Sequence, residues 1–432
     1  MEKIKNIKDT EIEVLGECKI KSPLDPKKAN FISPSERVII YGRKEEFDYH
    51  LKTLNAIPMF EKAGSQKKIY FDPKNTICGI VTCGGLCPGL NDVIQAVSIT
   101  ALKHYKVKKV LGFMYGFKGL SSSSKYEPVE LTEESVKDIS NASGTILGTS
   151  RGPQDEDDMI DTLLKYEVNI LFVIGGDGTL KGGMALSKRI RERKLKISIV
   201  GVPKTIDNDI CWTSRSFGFL TAVGDARTAV YSAHTEARAA YNGIGIVKIM
   251  GRESGFIATH VTLASGCVNF CLIPEVDFDI DGKNGLLEQL KKRLLNKQHA
   301  VIVVAEGAGQ KFFDKEKIGK DLSGNQKMGD IGLFLKEKIK EYLTKENIEH
   351  TVKYIDPSYI IRNQLANSAD SEFCLVLGQN AVHAAMTGKT NMAVGIINEH
   401  FVNIPFKMMV GKKKQVKADG DLWKSVIAVT GQ

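Results

Sequence analysis

Apolar residues in this chain come in short unbroken runs, each closed by a glycine-rich or polar turn and followed by a longer stretch with helical spacing. Residues 77–82, 110–113, 169–174 and 197–202 read as strands, and 93–103 as a helix after the first of them. Around Phe217 the pattern restarts. Residues 245–250, 300–305 and 354–356 read as strands, with helices near 255–264, 286–295 and 332–343. A helix over 373–386 and a strand over 392–397 come last. Alternating strands and amphipathic helices imply an α/β fold with parallel sheets and helical crossovers. The first 75 residues lack that rhythm and offer one short strand, Arg37-Val38-Ile39-Ile40-Tyr41, so they read as an extension wrapping the core.

Length and composition add bounds. At 432 residues there is room for two domains with full cores. The apolar (42%) and charged (26%) fractions are those of an ordinary globular protein. No segment approaches the roughly 18 apolar residues of a membrane span. The first 30 residues mix Lys, Glu and Asp without a signal-like apolar stretch, and Val429-Thr430-Gly431-Gln432 is no peroxisomal address. The expectation is a cytoplasmic protein with no membrane partner. The net charge of +9 comes from lysines spread along the chain, which implies a lysine-rich surface and no nucleic-acid partner. One dense run, Lys412-Lys413-Lys414, reads as a solvated segment. The eight cysteines do not imply disulfides in such a protein. Cys78, Cys83 and Cys87 cluster without the paired spacing of a zinc site, and Cys83 and Cys87 read as reactive bystanders in a phosphate loop.

Two runs carry the chemistry. Gly175-Gly176-Asp177-Gly178-Thr179 follows the strand at 169–174, and Pro203-Lys204-Thr205-Ile206-Asp207-Asn208-Asp209 follows the one at 197–202. Both sit at carboxyl ends of strands, where open α/β sheets place ligands. The glycines let backbone N–H groups approach phosphate oxygens. A carboxylate among them repels phosphate unless a divalent cation bridges the two, so Asp177 reads as a Mg²⁺ ligand. Thr205, Asp207 and Asp209 stand at alternate positions and share a face if the segment is extended. A phosphate site beside groups able to take a hydroxyl proton outlines a kinase for an alcohol. Asp207 is the candidate general base, a role worth roughly 10²–10⁴-fold. Asp209 is a candidate for orienting that base or the metal. The plain alternative is that these acids cap the following turn. Gly84, Gly85 and Gly89 lie between a strand and a helix, where an anion can be held, although such turns also serve as turns alone.

Together these runs resemble the 6-phosphofructokinase family. The resemblance extends over about residues 76–400 through Gly84-Gly85, Pro88-Gly89-Leu90-Asn91, Leu147-Gly148-Thr149-Ser150-Arg151-Gly152-Pro153, Met250-Gly251-Arg252, Ala305-Glu306-Gly307 and Pro357-Ser358-Tyr359-Ile360-Ile361-Arg362. It implies two Rossmann-like three-layer domains with mostly parallel sheets and the active site in the cleft between them, plus an N-terminal extension. The extension would span 1–75. Residues 76–217, completed by 366–410, would bind nucleotide and 218–365 fructose 6-phosphate, with 411–432 a C-terminal segment. It also implies an allosteric, glycolytic, cytoplasmic homo-oligomer (tetramer or dimer) acting on ATP and fructose 6-phosphate.

Residue by residue, the resemblance assigns Gly84, Gly85, Arg151, Gly176, Asp177, Gly178, Thr179 and Lys204 to the nucleotide. It assigns Thr205, Asp207, Asp209, Met250, Gly251, Arg252, Glu306, Lys353, Tyr359 and Arg362 to the sugar phosphate. Arg252 would offset charge on the transferring phosphoryl group, Glu306 would accept sugar hydroxyls, and Arg362 with Lys353 would bind the 6-phosphate. The chain departs from the family's pattern at several places. Leu86 stands where bacterial members often have Asp, and Tyr359 where many have His. Lys353 replaces a second phosphate-binding arginine and lacks its bidentate fork. The place of an arginine lent by a neighbouring subunit aligns with Gly243, beside Asn242. Gly178 is paired with Lys204, as in long ATP-using members of the pyrophosphate-like branch. Gly178 leaves room for a nucleotide α-phosphate that Asp would crowd, so ATP is the expected donor. Alternatives are a pyrophosphate-dependent enzyme, a catalytically silent regulatory subunit, and an NAD kinase.

Overall fold

The structure is a computed structural model describing residues 3–314, 319 and 327–432. The chain folds as two units, one comprising residues up to Thr205 with Ile210–Gly218 and Leu365–Lys412, the other Ile206–Asp209, Phe219–Gln364 and Lys413–Gln432. The first unit begins with β1 (Arg37–Ile39), α1 (Lys44–Leu54), β2 (Met59–Lys62), β3 (Ile77–Thr82), α2 (Leu90–Ile99), β4 (Lys109–Phe113) and β5 (Val129–Leu131). It continues with α3 (Glu156–Lys165), β6 (Ile170–Gly175), α4 (Asp177–Glu192) and β7 (Ser198–Pro203). The second unit carries α5 (Phe219–Ala239), β8 (Gly243–Ile249), α6 (Phe256–Ser265), β9 (Phe270–Leu272), α7 (Leu286–Lys297), β10 (His299–Ala305), α8 (Ile331–Lys345) and β11 (Thr351–Ile355). The chain then returns to the first unit for α9 (Ser368–Met386), β12 (Met392–Ile397) and β13 (His400–Pro405), and ends in the second with α10 (Asp421–Thr430).

The first unit's sheet has nine strands in the order β1-β2-β13-β12-β7-β6-β3-β4-β5. The central run from β12 to β4 is parallel, and the flanking pairs are antiparallel. Helices cover both faces. Leu171 and Val173 of β6 share a core with Met159, Ile160 and Leu163 of α3 and Leu180 and Leu186 of α4. Ile170, Phe172 and Ile174 are equally buried but point the other way, since successive strand residues alternate. On that side α9 packs against α2 and β7. This two-sided cover explains why the strands read as unbroken apolar runs.

The second unit has a four-stranded parallel sheet in the order β9-β10-β8-β11. Ile244 and Ile246 of β8 pack with Leu286, Leu290 and Leu294 of α7 and with Leu335 and Ile339 of α8. On the opposite face α5 lies almost on the strand. A Cβ added at Gly243 would stand 2.1 Å from the Ala237 carbonyl oxygen, and one at Gly245 2.9 Å from the Ala233 Cβ. Two residues along a strand and four along a helix advance similar distances, roughly 6–7 Å, so this glycine–alanine pairing repeats in register.

Several expected boundaries shift. The N-terminal residues do not only wrap the core: β1 and β2 are strands of the large sheet. The helix expected at 93–103 is α2, continued by a π-helical turn at Thr100–Tyr105. The strand expected at 354–356 runs over Thr351–Ile355. Of the C-terminal segment expected at 411–432, the residues from Lys413 onward join the second unit, where Gln432 Oε1 accepts the Cys271 N–H at 2.7 Å. Among the described residues no helix is long and apolar enough to cross a membrane.

Candidate active site

In the first unit, loops following β3, β6 and β7 come together. The Gly84 N–H donates to the Ser150 carbonyl at 3.0 Å, and the Thr149 hydroxyl donates to the Gly84 carbonyl at 2.6 Å. Gly84 has φ of +89°, a left-handed conformation that favours glycine. Lys204, only 5% exposed, sends its ammonium to the Gly85 carbonyl at 2.5 Å while its N–H donates to Gly175 at 3.0 Å. A buried cation thus lies beside two glycine turns and the amino terminus of α4, where the helix dipole favours anions.

The glycines of the first run divide by role. A Cβ at Gly175 would meet the Thr179 Oγ1 at 2.1 Å, so that glycine is required by packing rather than by a ligand. One at Gly176 would come within 3.3 Å of the Lys204 carbonyl. One at Gly178 would meet no atom within 4 Å. Asp177 opens α4, and its Oδ1 accepts the Gly411 N–H at 2.9 Å, the one hydrogen bond of its side chain among the described residues. Among those residues no group of three or more His, Cys, Asp or Glu is placed to hold a metal. A single carboxylate with one oxygen open fits Mg²⁺, which commonly takes one or two carboxylates together with substrate phosphates. Arg151 lies in the same loop as Ser150 and is exposed.

The second run does not stay extended. A turn begins at Ile206-Asp207 and Asn208 is left-handed (φ +52°), so Thr205, Asp207 and Asp209 do not present one flat face. Thr205 belongs to the first unit, where its carbonyl accepts the Ser216 hydroxyl at 2.7 Å. Asp207 and Asp209 belong to the second. The Lys413 ammonium lies 2.6 Å from the Asp209 Oδ2, and the Lys414 ammonium donates to the Asn208 Oδ1 at 3.0 Å. The lysine run is therefore not solvated throughout, contrary to the expectation. Two of its three lysines, Lys413 and Lys414, are bonded to the acidic run, while Lys412 is exposed.

At the carboxyl ends of β8 and β10 two turns interlock. The Glu306 N–H donates to Ile249 at 2.9 Å and the Gly307 N–H to Gly251 at 3.1 Å. Gly251 has φ of +137° and a Cβ there would meet the Ser254 carbonyl oxygen at 2.6 Å, which excludes other residues between Met250 and Arg252. Burial raises the Glu306 carboxyl above the usual range, opposed by Arg252, Lys248 and Arg362, with Asp356 adding to the rise. Three cations and a second carboxylate thus act on Glu306 near the ends of β8, β10 and β11. Lys248, which the sequence reading missed, bridges Asp330 and Asp356, each at 2.8 Å, and these partners hold its ammonium well above its ordinary range against the opposing effect of burial. Its only sequence signal is a charge inside an apolar strand.

A family model described as Phosphofructokinase matches residues 77–385. The chain belongs to the phosphofructokinase family. It is 48% identical over 446 residues to the ATP-dependent 6-phosphofructokinase of Borreliella burgdorferi, covering 100% of this chain and 99% of that protein. It is 45% identical over 439 residues to the ATP-dependent 6-phosphofructokinase of Amycolatopsis methanolica, covering 99% and 95%. Among solved structures, a pyrophosphate-dependent phosphofructokinase from Marinobacter aquaeolei matches with a TM-score of 0.68 at 19% identity, over 82% of this chain and 91% of that one. The Pichia pastoris phosphofructokinase in the T-state matches with a TM-score of 0.62 at 22% identity, over 84% and 36%. At those identities the structural likeness concerns the α/β fold.

The remaining phosphofructokinase positions are less gathered. Arg362 ends a short 3₁₀ turn with its guanidinium 4.7 Å from the ring centre of Tyr359, itself 67% exposed. Lys353 sits on the edge strand β11, 3.7 Å from Glu236. Gly243 cannot carry an arginine, because its Cβ position is taken by α5, and Asn242 is committed to the Glu349 carbonyl at 2.9 Å. Burial pushes the Cys83 thiol up to about 12, and Cys87 is buried as well, so neither is poised as a reactive thiol.

Proposed function

We propose that the chain transfers the γ-phosphoryl group of ATP to the 1-hydroxyl of fructose 6-phosphate, giving fructose 1,6-bisphosphate and ADP. The observation that carries this reading is the end-to-end similarity, at 48% identity, to a relative named for that activity. The donor assignment is supported further by the open space at Gly178. In the first unit, Lys204, the Gly84-Gly85 turn, Arg151 and the amino terminus of α4 with Gly176, Asp177, Gly178 and Thr179 take the nucleotide phosphates. Mg²⁺ held at Asp177 would supply charge neutralisation between carboxylate and phosphates. In the second unit, Asp207 accepts the proton of the 1-hydroxyl as that oxygen bonds to phosphorus and the bond to the ADP oxygen breaks. Arg252 offsets charge on the phosphoryl group, and Thr205, two residues before Asp207, holds that group or the sugar phosphate. Glu306, with Met250 and Gly251 shaping its neighbour turn, accepts sugar hydroxyls. Arg362, flanked by Tyr359, takes the 6-phosphate, with Lys353 as a weaker second cation.

The same reading carries Mg²⁺ dependence, a homo-oligomer (tetramer or dimer), allosteric control and a cytoplasmic setting. A coupled assay with fructose 6-phosphate and either ATP or pyrophosphate tests it. ATP is the expected donor, and a preference for pyrophosphate would overturn the assignment.

A further inference from the structure

We propose that residues 413–416 form a positioning element for phosphoryl transfer, with Lys413 fixing the Asp209 carboxylate; this rests on the kinase reading above. Each residue of the stretch reaches either the acidic run or, directly or through Glu275, the Arg252 turn. Lys413 pairs with Asp209 at 2.6 Å, and the Lys414 N–H donates to the Asp209 carbonyl at 2.8 Å. The Lys414 ammonium donates to Asn208 at 3.0 Å. Gln415 Nε2 donates to the Glu253 carbonyl at 3.0 Å. The Val416 N–H donates to the Glu275 Oε1 at 2.8 Å, and the same oxygen accepts the Gly255 N–H at 2.9 Å. The Ser254 hydroxyl closes the circuit on the Asp207 carbonyl at 3.2 Å.

The acidic run and the arginine turn, 45 residues apart at Asp207 and Arg252, are thereby held in one frame by a third segment from the far end of the chain. Asp209 is 7% exposed while the Lys413 side chain is 31% exposed, so the carboxylate is the sheltered partner, and removing the lysine leaves that buried charge without its cation. The stretch lacks helix or strand of its own apart from an isolated bridge at Lys413, and its polar groups are spent on these two turns. A displacement of about 1 Å at reacting groups costs roughly 10²-fold in rate, so a frame of this kind acts on turnover rather than on affinity.

The test uses the full chain with saturating ATP and fructose 6-phosphate. Lys413→Met is expected to lower kcat by roughly 10- to 100-fold, with both KM values within about threefold. Lys413→Arg, which retains a cationic donor, recovers most of the loss. Asp209→Asn combined with Lys413→Met loses no more than the worse single variant, because both remove one interaction. A raised KM with kcat intact, additive losses, or an arginine variant no better than methionine would each overturn the proposal. Should Lys413→Met not fold, Lys413→Gln is read in the same way. An inactive wild type, or an Asp209→Asn variant with full kcat, would instead sink the underlying site reading.

Discussion

Replacing Gly178 by aspartate separates a ligand effect from a folding effect. The second residue of α4 has open space where a Cβ would project, with no atom within 4 Å. Aspartate in the first turn interacts favourably with the helix dipole, by about 0.3–1 kcal/mol. Removing a helical glycine also helps, by roughly 0.5–1 kcal/mol when the conformation suits. The variant should therefore melt no lower than wild type. A nucleotide α-phosphate occupying that space would face a new negative charge. Two unit charges at about 5 Å in an effective dielectric of about 20 repel by roughly 3 kcal/mol, which corresponds to about 10²-fold in kcat/KM. Gly175→Ala is the opposite control: its Cβ would stand 2.1 Å from the Thr179 Oγ1, so it should lower the melting temperature. The assay is kcat/KM for ATP and for pyrophosphate at fixed Mg²⁺ and saturating fructose 6-phosphate, with melting curves on the same samples. Lys204 remains to neutralise the smaller donor, so a measurable gain with pyrophosphate is expected as well. Undiminished ATP use by a folded Gly178→Asp variant would refute the steric and electrostatic reasoning.

Asp207→Asn should lose roughly 10²–10⁴-fold in kcat with little change in fructose 6-phosphate KM; a variant keeping more than about a tenth of wild-type kcat removes Asp207 from the role of base. Arg362→Ala should raise the sugar-phosphate KM about 10- to 100-fold, the worth of a charge-assisted bond, while leaving the ATP KM nearly unchanged. Lys353→Ala, already drawn toward Glu236, should raise the sugar-phosphate KM less, and an equal or larger effect would reverse that ranking. Burial lowers the His383 pKa from 6.5 to about 4, with Tyr105 hydroxyl and imidazole Nδ1 2.9 Å apart. The unfolded chain then binds the extra proton between those values, so stability is full above about pH 6.5 and declines as pH falls toward 4, by on the order of 3 kcal/mol. Urea midpoints between pH 4.5 and 7 should fall more steeply for wild type than for His383→Gln; equal slopes would mean that the buried ring is protonated at no cost.

Strands β3, β6 and β7 were legible because each is buried on both faces and is closed by a glycine-rich or polar turn. The site turns were legible for a related reason, since glycine is demanded at Gly84 and Gly251 by backbone conformation and at Gly175 by close packing. What escaped was set by distant partners. Helix α5 packs its alanines under Gly243 and Gly245, so it lacks the bulky apolar stripe by which a helix is usually recognised. Lys413 finds Asp209 across 204 positions, and no local pattern distinguishes a lysine so engaged from one in water. The bend at Asn208 was hidden because alternation along a sequence carries information about facing only if the strand persists.

The order in which the chain visits its two units bears on biosynthesis. A ribosome releases residues 1–205 early, yet the central strand β12 that pairs with β7 arrives only after the whole of 219–364 has emerged. The second unit waits longer still, since residues 413–432 leave the tunnel after every other part of it. Vectorial folding one domain at a time is therefore closed to this protein, and long-range pairings of this kind form slowly. Nascent chains halted before Lys413 would carry Asp207 and Arg252 without the segment that ties them together. Partial translation products would thus turn over substrate slowly, and full activity would begin only once residues 413–416 have docked.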